Sequence, residues 1–174
     1  MDIRDLLVDG FGRVKGAMHL CLDGLTDEQL HFLPAPESNS IAWLAWHIAR
    51  GQDDEIRRAV REIPQLWISD RWHEKFGRPA DPDDNGLGHT PEQVAAFRSD
   101  TKTLLAYFDA VHLKTVEFLK TLSEADLDRE LNEPQWDPLP TVGVRLISIM
   151  DDGIQHVGQI AYIRGMVEHR HWYP

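Results

Sequence analysis

Cysteine is nearly missing from this sequence. Cys21 is alone among 174 residues, so no intrachain disulfide can form, and the Cys-x-x-Cys spacing of structural zinc sites is absent. Any metal would have to be held by histidine and carboxylate side chains. Long apolar runs are missing too: no window approaches the roughly 20 apolar residues of a membrane-spanning helix, so no membrane association is expected. Positive charge is in the minority, with 18 Lys and Arg against 29 Asp and Glu. The basic residues are scattered rather than gathered on one face, so nucleic acid is not an expected partner. The opening MDIRDLLVDGFGRVK carries acids where a secretion leader would carry a basic patch and an apolar stretch, which predicts a cytoplasmic protein. No segment competes as a β-sheet.

What is present is an unusual supply of imidazole and indole, 9 His and 6 Trp. The chain is 42% hydrophobic and 27% charged, the balance of one globular domain over residues 1–174 with enough interior for a core.

Apolar residues recur at helical spacing from Asp2 to Leu22. Thr26-Asp-Glu-Gln-Leu30 reads as a capped helical turn stopped by Pro34 and Pro36. Ser38, Asn39 or Ser40 then caps a second long helix, IAWLAWHIARGQDDEIRRAVRE, whose first half is apolar almost all round and predicted buried, and whose charged second half is predicted solvated. A short helix is expected around Ile68 to Phe76. The run PADPDDNGLGH is a loop, either a lid or a plain surface connection. Thr90-Pro91-Glu92-Gln93 opens another short helix, Ser99 or Asp100 caps a long one to about Thr121, and Thr141 caps a last one to about Glu168.

A weak repeat runs through this order. Leu25-Thr-Asp-Glu-Gln-Leu30 follows the first long helix and Leu122-Ser-Glu-Ala-Asp-Leu127 the third, each leading through a Pro-containing loop to a capped helix. Two such halves predict an all-α four-helix bundle with short accessory helices, a fold that builds ligand and metal sites between facing helices.

On the last helix, Arg145, Ile149, Asp152, His156, Gln159 and Ile163 share one stripe, predicted to face the core. A carboxylate buried there needs a partner or an ion. Asp152 and His156 are one turn apart, close enough to converge on one ion or to form an intrahelical ion pair. On the second helix, His47 lies on the side of Trp43, Leu44 and Gly51 and is predicted to point inward, either as a ligand or as a hydrogen-bonded core histidine. Two imidazoles and one carboxylate form a three-ligand set with an open position, the pattern of catalytic sites, and suit zinc, nickel, iron or manganese. Gln159 and Arg145 are candidates to support the ligands or anchor an anionic substrate group. Asp54, two turns after His47, either orients it or is salt-bridged. Gly51, Gly153 and Gly158 make space at the site or allow close helix packing. The other seven histidines show no ligand spacing on an inward stripe, and Cys21 has no activating base. The tryptophans read as anchors, with Trp67, Trp72 and Trp136 near loops that could roof a pocket.

The segments SIAWLAWHIARGQDD around His47 and TVGVRLISIMDDGIQHVGQIAYIRGM around His156 resemble those of the DinB-like (DinB/YfiT) superfamily of metal-binding four-helix bundles. The element His156-Val157-Gly158-Gln159, paired with an upstream Trp-His, carries most of that likeness. The family typically uses one His from the second helix and an HxxxH pair from the last. His47 and His156 match the first and third ligands. Asp152 stands where the second His would be, as in maleylpyruvate isomerase relatives, which also look to have a carboxylate at this place. The resemblance implies a divalent metal, zinc or nickel, and in several members S-transfer or isomerisation dependent on a low-molecular-weight thiol such as mycothiol or bacillithiol. A metal lowers the pKa of a bound thiol as it does that of water, which fits a chain whose own cysteine is unactivated. The expected activity is therefore thiol-dependent transfer or isomerisation of a small electrophilic substrate, in stress response or detoxification, by a homodimer. Metal-assisted hydrolysis and non-catalytic binding of a metal or small ligand are the alternatives.

Overall fold

The computed structural model describes residues 1–171; Trp172, one of the six expected anchors, lies outside them. The elements in order are α1 (Ile3–Leu22), α2 (Asp27–Leu30), α3 (Ile41–Asp53), a π-helical segment (Asp54–Val60), α4 (Leu66–Ser69), α5 (Trp72–Lys75), α6 (Pro91–Ala96), α7 (Thr101–Leu119), α8 (Glu124–Leu127) and α9 (Val142–Val167). Among the described residues there is no strand, only an isolated bridge between Glu130 and Thr141. No helix of the described residues is long and apolar enough to cross a membrane.

Side chains written into the sequence set the starts of these helices. Asp2, Ser40, Asp100 and Thr141 each accept a hydrogen bond from an amide of the first turn. Thr26 with Gln29, Thr90 with Gln93 and Ser123 with Asp126 form reciprocal capping boxes. Each such cap satisfies amides that the helix cannot satisfy itself, stabilising it by about 1 kcal/mol.

The four long helices form the bundle. α1 and α3 each pack mainly on α7 and α9, so the first half of the repeat (α1 to α3) is held together chiefly by the second (α7 to α9). One buried cluster gathers Trp46, Trp67, Phe97, Tyr107 and Phe108. The other gathers Leu7, Phe11, Ile56, Leu119 and Leu146 toward the opposite end. α3 and α9 run past the level where the two clusters meet, and the histidines of interest sit there.

Three expectations require correction. The charged half of the second long helix is solvated only in part: Arg58 and Glu62 are exposed, but Asp53, Asp54, Ile56 and Val60 are buried. Asp53 accepts from the Leu66 and Trp67 amides and from the Tyr107 hydroxyl, while Asp54 accepts from Arg58, Gln65 and Asn85, so the cost of burying charge is offset by bonds from other segments. The helix also widens to a π-helix at Asp54, a form that often marks functional sites. The short helix expected over Ile68–Phe76 is two separate turns, α4 and α5, because Arg71 between them adopts the left-handed conformation with φ of 56°. Finally, Trp67 and Trp72 are core rather than roof, whereas Trp136 is exposed.

Candidate metal centre

His47 projects from the middle of α3 toward α9, half-buried. Its ring lies parallel to that of Trp43, with centroids 4.9 Å apart and an interplanar angle of 12°. Its Nδ1 lies 2.6 Å from the backbone carbonyl of Asn85. A carbonyl only accepts, so Nδ1 carries the proton and Nε2 keeps its lone pair. Burial pushes the His47 pKa below the usual histidine value, against the opposing bond to Asn85.

His156 comes from α9, one turn beyond Asp152. Its Nδ1 donates to the Gln159 amide oxygen at 2.9 Å, and its Nε2 lies 3.3 Å from Asp152 Oδ1. The bond to Asp152 raises the His156 pKa, against burial. The two imidazoles meet edge to face with centroids 5.1 Å apart. One ligand atom each from His47, Asp152 and His156 lie within 4.8 Å of one another.

The donor chemistry fits a divalent metal. Both rings tie their Nδ1 to an oxygen acceptor, the arrangement that fixes tautomer and orientation in histidine-ligated metal sites. The Asp152 carboxylate and His156 Nε2 lie 3.3 Å apart, and a ring nitrogen of His47 completes the group of three donors.

Of the predicted stripe, Ile149 and Ile163 are buried as expected, while the polar members lie off its centre. Its buried centre is Val142, Leu146, Ile149, Gly153, Val157 and Ile160, about one residue round from the expected line. The Asp152 side chain is therefore 45% exposed and that of His156 20%, at the edge of the packed face, and Gln159 is exposed. A wide apolar stripe does not reveal its own centre line from spacing alone. Gln159 nevertheless supports His156 as described. Arg145 is held by carboxylates, 3.0 Å from Glu55 Oε2 and closer still to Glu133, and so is not a free anion anchor. Asp54 is salt-bridged to Arg58 and reaches His47 only indirectly, through the Asn85 side chain at 3.3 Å. Of the glycines, Gly153 serves close packing, since a Cβ there would lie 3.1 Å from Val14, whereas Gly51 and Gly158 face open space.

A cleft of about 240 Å³ opens beside the donors between α3 and α9. His47 and Asp152 stand at one end, and Glu55 and Arg145 at the other, with Leu87 and Ile149 as apolar wall. Burial raises the Glu55 pKa, opposed by Arg145.

The run expected as a lid or a surface connection closes over α3, but sequence reasoning did not identify which of its residues make the contact. Asn85 supplies the acceptor for His47. His89, read as incidental, accepts from the Trp43 indole at 3.1 Å and pairs with Asp84 at 2.9 Å. The only signal was the Asp-Asp-Asn-Gly turn composition of residues 83–86, which marks a turn but not where it lands.

Comparison with known proteins agrees with the fold. The model of the DinB superfamily matches residues 11–160. A crystal structure described as the conserved protein of locus from Enterococcus faecalis is 31% identical, with a TM-score of 0.88 over 98% of this chain and 99% of that one. No curated protein matches the sequence. A helical bundle of this order, matched by a family model across most of its length and by a solved structure almost end to end, places the chain in the DinB superfamily.

Proposed function

We propose that the chain is a metal-dependent enzyme that binds a divalent ion, zinc or nickel, through His47 Nε2, Asp152 and His156 Nε2, and promotes attack of a low-molecular-weight thiol on a small electrophile. The convergence of the three donors, with both imidazoles oriented through Nδ1, is the observation that carries this reading. A divalent ion held by three donors has open positions and lowers the pKa of a thiol brought against it.

The chain's own residues define the rest. Cys21 is fully buried, and burial pushes its thiol up to about 12, so it remains protonated at neutral pH and the attacking sulfur must come from a bound cofactor. Leu87 and Ile149 offer apolar contact to the body of the electrophile. Arg145, fixed between Glu55 and Glu133, presents a rigid polar end to the cleft and orients a ligand without moving.

Metal analysis of the purified protein tests the first half. Stoichiometric metal in the wild type, lost in His47→Ala and His156→Ala, supports it; a wild type as metal-free as the variants overturns it. Consumption of a model electrophile that requires both metal and added thiol supports the second half, whereas thiol-independent ester hydrolysis would replace it with a hydrolase, and no turnover with either panel would leave a binding protein.

A further inference from the structure

Apart from Trp43, which stacks on its ring, the residues that fix His47 are not on its own helix. They come from the loop after α5, which passes over α3 and is tied down on both sides of His47. Before it, Arg50 donates from the core to the carbonyls of Pro82 and Asp84 at 3.1 and 2.9 Å. After it, His89 takes the Trp43 indole proton and is itself held by Asp84, which Arg78 pairs at 2.7 Å. Between these ties, Asn85 uses every polar group it has nearby. Its carbonyl takes the His47 proton, its amide nitrogen reaches Asp54, and its side-chain oxygen accepts from the Leu87 amide at 3.0 Å.

Gly86 completes the contact. Its φ is +96°, and a Cβ built on it would lie 2.8 Å from Trp43 Cζ2, 3.0 Å from Trp46 Cζ3 and 3.1 Å from His47 Nδ1. None of these rings can retreat cheaply. Trp43 is stacked on His47 and bonded to His89, and Trp46 is fully buried. A methyl at this position would push on the ring that must present Nε2 to the cleft and on the ring that backs it. Gly88 supplies the contrast. It too has a positive φ, +79°, but nothing lies within 4 Å of where its Cβ would be.

We propose that the Asn85–Gly86 segment is a positioning element for the centre: it locks His47 in the Nδ1–H tautomer and presses its ring against Trp43, so that Nε2 is presented to the ion before the ion arrives. This rests on the metal reading above for its use, but not for its test, because the tautomer is defined in metal-free protein. Removing such support around a metal-ligating histidine costs about 10- to 100-fold in affinity.

The experiment compares wild type, Gly86→Ala, Gly88→Ala and Asn85→Ala in the full chain. Zn²⁺ affinity is measured by competition with a chelator, and the protonated nitrogen of the His47 imidazole is read by nitrogen–proton correlation NMR of the metal-free protein, with the signal assigned by its loss in His47→Gln. Gly86→Ala is expected to weaken Zn²⁺ about 10- to 100-fold and to lose the unique Nδ1–H signal. Gly88→Ala, which shares the backbone strain but not the ring contact, should stay within about twofold of wild type and keep the signal. Asn85→Ala adds no atoms, keeps the carbonyl and removes only the anchoring of the loop; it is expected to weaken Zn²⁺ about tenfold, and it carries the test if Gly86→Ala does not fold. The inference is overturned if Gly88→Ala loses as much as Gly86→Ala, or if both Asn85→Ala and Gly86→Ala keep wild-type affinity and tautomer. Should the wild type bind no Zn²⁺ yet show the Nδ1–H signal, lost on Gly86→Ala, the positioning stands and the proposed function falls.

Discussion

Two polar clusters share α3, and they are finished in opposite ways. Around Asp53 the groups satisfy one another: its carboxylate accepts two amides and a phenol, while Arg50, fully buried beside it, donates to Gln65 and two loop carbonyls. Burial raises the Asp53 pKa in spite of those bonds. One and a half turns earlier, His47 and His156 are oriented through their Nδ1 atoms by Asn85 and Gln159, while on the other side only a 3.3 Å pair of His156 with Asp152 is made, beside a cleft that His47 and Asp152 line. Polar groups that are all spoken for hold a fold together. Groups oriented from behind and left unsaturated in front are ready for something from outside.

The sharpest way to break this contrast is to damage the saturated cluster. Asp53→Ala would leave the Leu66 and Trp67 amides and the Tyr107 hydroxyl without their acceptor and remove the carboxylate 4.0 Å from the buried Arg50, and is expected to destabilise the protein by about 3–5 kcal/mol, read from urea denaturation; a cost below about 1 kcal/mol would mean the two clusters are not different in kind. Loading the open cluster should act in the other direction. Zn²⁺ at a hundred times its dissociation constant should stabilise the wild type by about 2.7 kcal/mol, an effect absent from His156→Ala, and a melting temperature indifferent to Zn²⁺ would remove the distinction from that side.

Gln159→Ala probes the orientation from behind. With the acceptor for His156 Nδ1 gone, Zn²⁺ affinity should fall about tenfold, or about 1.4 kcal/mol, measured by titration calorimetry with no loss of helix content. The smallest expected effect is on the pH dependence of stability without metal. The His47 pKa is lowered on folding by burial, so the unfolded chain binds more protons and stability falls as pH drops below the ordinary value of 6.5. The His156 pKa is raised by Asp152, so the folded chain binds more protons and that contribution is lost as pH rises above the same value. Denaturation between about pH 5 and 8 should show His47→Ala flattening the acid limb, part of which remains because burial also lowers the His112 pKa, and His156→Ala flattening the alkaline limb. If both variants keep the wild-type profile, the two rings are not in the environments described.

Local signals were the legible part of this chain. Thr26, Thr90, Asp100 and Thr141 mark helix starts in the sequence and do so in the structure, because a cap and its amides are only three residues apart. The meeting of His47 with Asp152 and His156 could be anticipated from two helical faces and a family likeness. What could not be read depends on contacts between distant segments. Asp53 and Asp54 look like the solvated end of an amphipathic helix until Leu66, Gln65, Asn85 and Tyr107 arrive with donors. His89 and Asn85 carry no periodic signal, since a loop's landing place is set by its anchors at Arg50 and Trp43 rather than by its own residues.

The repeat that organises the bundle also runs through the cleft. Counted from their caps Ser40 and Thr141, His47 occupies the place on α3 that Ser148 occupies on α9. Gly51 matches Asp152, and Glu55 matches His156. All but His156 line the same cleft, so matching places in two similar halves face one another with different chemistry. The architecture is duplicated and the donors are not. A molecule lying between α3 and α9 therefore meets two unlike walls, and the cleft can tell one end of that molecule from the other although the helices forming it are counterparts.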